Sequence, residues 1–196
     1  MTVTKVVSKK LKIGKPPAIV MVNPKFGHNV GAVMRNASCF GIDQVFFTGD
    51  RVNIDPTKGE RLPREERMKA YGSVEVFHFD YPLDLFDHGT PVCVEISPSA
   101  EQLPDFEHPE DPIYVFGPED GSVPPQVSRL CHRFVMIPAR HCMNLSVATG
   151  AVLYDAYAKR LAAGVEPRVS TAELLDESRG WEEPEVYDRY GLATNR

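Results

Sequence analysis

Short apolar runs recur along the middle of the chain, separated by polar turns and helical patterns. They fall at Ala18–Val22, Gln44–Thr48, Ser73–Phe79, Pro91–Ile96, Pro112–Phe116 and Arg133–Ile137. Continuous apolar character predicts strands covered on both faces, as in a mainly parallel sheet. Two stretches repeat at helical spacing instead. After Asn29, the residues Val30, Val33, Met34 and Ala37 follow one face of a helix, and Gly41 ends the pattern. A second helix is predicted from about Ser146 to Ala163, with Val147, Ala151, Tyr154, Ala158 and Leu161 as its core stripe and Gly164 as its stop. Strand–helix alternation predicts the α/β class, a mostly parallel sheet with helices on both faces. No internal repeat is visible.

Composition narrows the setting. The chain has 196 residues, 42% hydrophobic and 25% charged, which suits one domain of about 150 residues with tails. Residues 1–15 carry Lys5, Lys9, Lys10, Lys12 and Lys15 and no acid, and read as a basic arm or a plain solvated tail. Residues 16–163 form the expected body. Residues 164–196 turn acidic, and Trp181, Tyr187 and Tyr190 suggest that part of this extension docks on the body or on a partner. The net charge of −5 excludes a generic nucleic-acid-coating protein. Any RNA contact needs a local patch, or two subunits framing one.

Cysteines at 39, 93, 131 and 142 lack Cys-x-x-Cys spacing, so reduced thiols and no metal are expected. Neither a signal peptide nor a membrane span is expected, and a cytoplasmic location follows. The segment from Arg51 to Tyr71 contains Lys58, Arg61, Arg64, Arg67 and Lys69 and predicts a long loop leading into a short helix. It reads as a functional loop or as a solvated face.

Three constellations carry chemistry. In the first, Asn23-Pro-Lys-Phe-Gly-His-Asn-Val-Gly, a strand ends and a helix begins. Asn29 can cap that helix, Gly31 permits close approach, and Arg35 lies off the apolar stripe. The second, Val115-Phe-Gly-Pro-Glu-Asp-Gly, follows a buried strand with a turn carrying Glu119 at its tip. Such a loop is where α/β folds bind ligands, although it is neither a dinucleotide fingerprint nor a phosphate-binding loop. The third, Ile137-Pro-Ala-Arg-His-Cys-Met-Asn-Leu-Ser146, again joins a strand to a helix, with Asn144 or Ser146 as cap. Each segment taken singly is also explained by capping and turning.

Together, in this order and spacing, the three segments closely resemble the signature motifs of the SpoU/TrmH-like branch of the SPOUT superfamily, which methylates RNA ribose 2′-hydroxyls. The resemblance rests on Asn29 with Arg35 six residues on, on Phe116-Gly117-Pro118-Glu119 with Gly121, and on Ile137-Pro138 followed by Met143-Asn144-Leu145-Ser146. It covers about Val20 to Tyr157. Cys142 stands where the family usually has Ser.

The resemblance implies a C-terminal trefoil knot formed by the Ile137–Asn144 loop and the following helix. It also implies a homodimer with active sites built from both chains. S-adenosylmethionine would bind near Glu95, Ile96, Gly117, Ile137, Cys142, Met143 and Leu145. Arg35, Asn29, Glu119 and Asn144 would be catalytic. Arg35, Lys58, Arg61 and Arg64 would contact RNA, with transfer RNA slightly ahead of ribosomal RNA. The family carry-over often makes Arg35 a general base. A guanidinium stays protonated up to a pH above about 12, so a bidentate phosphate clamp that polarises the 2′-hydroxyl suits its chemistry better. Asn29 and Asn144 would orient Arg35 or the ribose, and Glu119 would anchor its loop or pair with a cation such as Arg35. His28 and His141 are candidate proton carriers. A base methyltransferase of another SPOUT branch and a catalytically silent RNA-binding or assembly factor remain the alternatives.

Overall fold

The computed structural model describes residues 16–52, 74–79 and 83–166. The basic arm, the cations Lys58, Arg61 and Arg64, and the acidic extension from residue 167 onward lie outside the described residues.

All the apolar runs become strands. The order along the chain is β1 Ala18–Met21, β2 Gln44–Phe47, β3 Glu75–His78, β4 Thr90–Val94, β5 Glu101–Gln102, β6 Pro112–Phe116 and β7 Arg133–Met136. They form one sheet in the order β3-β2-β1-β6-β4-β7-β5. Every pairing is parallel. The two-residue β5 has no apolar pattern and was not predicted.

Alternate residues of β1 show why the runs are continuously apolar. Ile19 and Met21 point into one core cluster with Val30, Val33, Val152 and Leu153 of the two long helices, α1 Gly27–Cys39 and α4 Leu145–Ala162. Ala18 and Val20 point into the other cluster, with Leu85 and Phe86 of α2 Leu83–Phe86 and Val127 of α3 Pro125–Ser128. Helices therefore cover both faces of the sheet, as predicted.

The α1 stripe of Val30, Val33, Met34 and Ala37 is buried, and Gly41 ends the pattern at φ +69°. The α4 stripe is different. The buried side consists of Leu145, Thr149, Val152, Leu153 and Ala156. Of the predicted stripe, Val147 is 53% and Tyr154 63% exposed, while Ala151, Ala158 and Leu161 are half-buried. At about 100° per residue the two sets lie on opposite sides of the helix. Both sides are apolar, so periodicity alone could not say which one meets the sheet.

A buried polar chain ties α4 to the strands. Tyr114 Oη and His108 Nδ1 are 2.7 Å apart, and His108 Nε2 lies 2.8 Å from Asp155 Oδ2. Burial pushes the His108 pKa down despite Asp155. The neutral ring then donates from Nε2 to Asp155 and accepts from Tyr114.

Contacts divide the chain into a unit of residues 1–159 and one of residues 160–196. In the second, Gly164 adopts φ +72° and Arg160 Nε bonds Glu166 Oε1 at 2.8 Å. No helix among the described residues is long and apolar enough to cross a membrane.

Leu153, 3% exposed, identifies the sheet-facing side of α4. Leu153→Ala is expected to lower unfolding free energy in urea by about 2–5 kcal/mol. A loss no larger than that of a surface substitution would contradict this assignment.

Candidate active site

A cleft of about 360 Å³ opens at the carboxyl ends of β4, β6 and β7, beside the start of α4. This is the end of a parallel sheet where connecting loops splay apart and ligands bind, and the volume is that of a small-molecule pocket. The structure brings Glu95, Ile96, Gly117, Ile137, Cys142, Met143 and Leu145 together in its lining. Glu119 and His141 also line it, as do Phe116 of the second motif and Val94, Met136 and Ala148, which were not among the expected site residues. Gly117 has a steric reason to be glycine. A Cβ there would lie 2.9 Å from Val123 N and 3.1 Å from the Ser122 carbonyl carbon.

One polar relay joins the three motif segments. Asn29 Nδ2 donates to Glu119 Oε1 at 2.5 Å, and Asn144 Nδ2 donates to Asn29 Oδ1 at 3.0 Å. Asn144 Oδ1 then accepts from the Ser146 N–H at 2.9 Å and from its hydroxyl at 2.7 Å. The carboxylate can only accept, so it sets the direction of both amides. Asn29 is 1% exposed. It sits inside the first turn of α1 and does not cap it; Phe26 holds the capping position and makes no side-chain cap. The expected cap at Asn29 is thus corrected: the side chain is used between loops. Asn144 does bond the N–H of Ser146, in the first turn of α4.

Glu119 also accepts the Lys25 N–H at 2.6 Å. Burial opposes its ionisation, but hydrogen bonds from Asn29 and from the N–H groups of Lys25, Glu119 and Phe26 outweigh burial. Its pKa is held below the ordinary value. Neighbouring Asp120 grips Arg51 through two bonds of 2.9 and 2.8 Å and Lys25 at 3.1 Å. The Arg51 and Lys25 hydrogen bonds hold the Asp120 carboxyl far below the usual range.

Glu95 clamps the opposite wall. Its carboxylate accepts the N–H groups of Val123 and Ile96, each at 3.0 Å. A single acidic residue thereby ties the 95–96 turn to the loop after β6. The first motif leaves β1 through a tight turn, with Asn23 at φ +47°, a conformation Asn tolerates better than most residues.

Arg35 stands apart. It is exposed, does not line the cleft, and has no ion pair among the described residues. Within the chain neither Asn29, Asn144 nor Glu119 bonds it; of the two roles expected for Glu119, its bonds to Asn29 and the Lys25 N–H fit the loop anchor. Helix geometry explains this. Six residues after Asn29, at about 100° each, Arg35 lies about 120° round α1. Its neighbour Asn36 instead donates to the Ser146 carbonyl at 2.6 Å, holding α1 against α4. His28 is exposed and stacked on Phe26. The Asp120–Arg51–Lys25 cluster was missed, because nothing in the sequence shows that residues 51 and 120 meet. No group of three His, Cys, Asp or Glu able to hold a metal occurs among the described residues.

A parallel α/β sheet with a cleft at its strand ends, walled by the loops after β4, β6 and β7, is a domain suited to a small-molecule ligand. Comparison with known proteins makes the class specific. The model of the SpoU rRNA Methylase family matches residues 16–154. The chain belongs to that family, and so to the SpoU/TrmH-like branch of the SPOUT superfamily, and is a methyltransferase by that membership. It is 26% identical over 157 residues to the tRNA (cytidine-2′-O-)-methyltransferase TrmJ of Methanocaldococcus jannaschii, covering 74% of this chain and 68% of that protein. The matches to three curated relatives span 68%, 50% and 63% of their lengths.

Two solved structures share the fold. The A. aeolicus TrmH/SpoU tRNA modifying enzyme aligns with a TM-score of 0.65 at 20% identity, covering 80% of this chain and 82% of the other. The SpoU methyltransferase AviRb from Streptomyces viridochromogenes, in complex with AdoMet, aligns with a TM-score of 0.62 at 17% identity, covering 74% and 61%.

The lowered pKa of Glu119 carries a pH signature. A depressed folded-state pKa stabilises the fold above the unfolded value, about 4.3, and that stability is lost as pH falls through the folded value. Glu119→Gln is therefore expected to be less stable than the parent near neutrality, with the gap closing below about pH 4. Denaturation series at both pH values check this, and parallel pH profiles would refute it.

Proposed function

We propose that this chain transfers the methyl group of S-adenosylmethionine to a ribose 2′-hydroxyl of RNA. One observation carries the reading. The second and third family motifs line a single cleft, and the first is tied to both beside it through the Glu119–Asn29–Asn144 relay.

The residues present suit the donor. Ile96 and Met143 are 60% and 38% exposed on this wall, and with Ile137 they offer apolar surface to a flat adenine. Gly117 keeps the facing loop close. When bound, the donor supplies an activated methyl group on a positively charged sulfur. The chain's own tasks are then to align the acceptor oxygen and to help one proton leave it.

Arg35 serves as the clamp. Its planar fork grips the phosphate next to the target ribose and polarises the 2′-hydroxyl, with the proton passing to a phosphate oxygen or water. Because Arg35 lies outside the cleft of its own chain, this reading needs a homodimer in which Arg35 of the partner subunit reaches the site. The exposed Val147–Tyr154 side of α4 is the surface that supports such a dimer. The Ile137–Asn144 loop and α4 form the trefoil knot in this reading. Lys58, Arg61 and Arg64, with the basic arm of residues 1–15, supply further RNA contacts around the body of residues 16–163. We place the enzyme in the cytoplasm and take transfer RNA as the first substrate to test, since the Methanocaldococcus relative is by name a tRNA enzyme.

Arg35→Lys separates a fork from a point charge. Methyl transfer to bulk RNA is expected to fall about tenfold or more, with donor affinity by calorimetry unchanged. Near-full activity would defeat the clamp.

The dimer has its own test in sedimentation. Val147→Asp with Tyr154→Arg should give a folded monomer that binds donor but transfers no methyl. A variant that remains dimeric would move the interface elsewhere.

A further inference from the structure

Beside the cleft, the loop between β1 and α1 presents an aromatic pair that neither capping nor core packing accounts for. Phe26 occupies the N-cap position of α1, where a small polar side chain would bond the first turn, and makes no cap. It is 43% exposed. Its ring stacks on His28, with centroids 5.3 Å apart and planes 18° apart. His28 is itself exposed.

Two cations flank the pair. Lys25 Nζ lies 5.4 Å from the Phe26 ring centroid. Lys25 and Arg51 both converge on one oxygen, Asp120 Oδ2, at 3.1 and 2.8 Å. Two donors aimed at one anionic oxygen, with a net charge of +1 over the trio, can also receive a phosphate oxygen. The cluster adjoins the cleft wall directly, since Asp120 follows Glu119 and the Lys25 N–H bonds Glu119 Oε2 at 2.6 Å.

We propose that Lys25, Phe26, His28 and Arg51 form a binding site for an unpaired nucleotide of the RNA substrate. The base extends the Phe26–His28 stack, and the phosphate is held by Arg51 and Lys25. The proposal rests on the reading of the chain as an RNA methyltransferase. It deepens that reading by naming the class of substrate: a nucleotide displayed in a loop or single strand, whose face is free to stack. A base paired inside a helix offers no such face. Stacking tolerates any base, while the cations supply affinity that falls with salt. This gives an acidic protein a local attachment point for RNA.

The test uses the full chain, a short single-stranded RNA oligonucleotide of mixed sequence, and the same oligonucleotide annealed to its complement. Binding is read by fluorescence anisotropy over a range of salt concentrations. The parent should prefer the single strand. Phe26→Ala should weaken single-strand binding about tenfold and leave duplex binding unchanged. Phe26→Trp should keep the affinity, which separates stacking from loop damage. Arg51→Gln should flatten the salt dependence by a slope of about one. Donor binding by calorimetry should match the parent in both Phe26 variants. Unchanged single-strand affinity in Phe26→Ala, or a parent that binds the duplex equally well, would overturn the proposal. Methyl transfer by the parent to bulk RNA is assayed separately. Its absence would count against the enzymatic reading and leave the binding comparison to decide this one.

Discussion

The site depends on the direction imposed by one negative charge. Glu119 can only accept hydrogen bonds, so the amide of Asn29 must turn its NH₂ group toward it. That leaves the Asn29 oxygen facing Asn144, whose own NH₂ must answer, and the Asn144 oxygen is left for Ser146. Reversing any one amide would set donor against donor in a place where Asn29 is 1% exposed, and an unmade buried bond costs about 1–3 kcal/mol. The relay therefore has one orientation, and three segments of chain far apart in sequence are registered by it.

The rest of the cleft is held by the same type of device. Glu95 ties two loops through backbone N–H groups, and Asp120 ties the loop after β6 to Lys25 and Arg51. Carboxylates accepting from several donors are strong local clamps, and they leave the apolar cleft surface free for a ligand. At the start of α4, the Asn36 bond to the Ser146 carbonyl fixes α1 against that helix. Gly150 keeps this approach close, since a Cβ there would lie 3.3 Å from Asn36 Nδ2. A site built from loops is in this way cross-linked to the helices beside it.

Two surfaces remain unexplained by the packing of a single chain. The outer side of α4 exposes Val147 and Tyr154, and α1 presents Arg35 with no ion pair among the described residues. Both are accounted for if a second copy covers the first and receives the second. The Phe26–His28 stack is a third such surface, and its flanking cations suit a nucleic acid better than another copy of an acidic chain.

Much of the architecture was legible in the amino-acid order, because local rules decide it. Strands buried on both faces are apolar nearly throughout, and β1 and β6 are so at every position; a helix with one buried side must repeat its apolar residues, and α1 does. The motifs likewise marked Gly117, Glu119, Ile137, Met143 and Leu145, which line the cleft, and Asn29 and Asn144 beside it. Tertiary structure alone decided the placing of β6 between β1 and β4, the side of α4 that meets the sheet, and the use of Asn29 between loops. It also brought Arg51 to Asp120. Each of these depends on which distant residues become neighbours, and a pattern confined to one segment contains nothing about the surface that segment will meet.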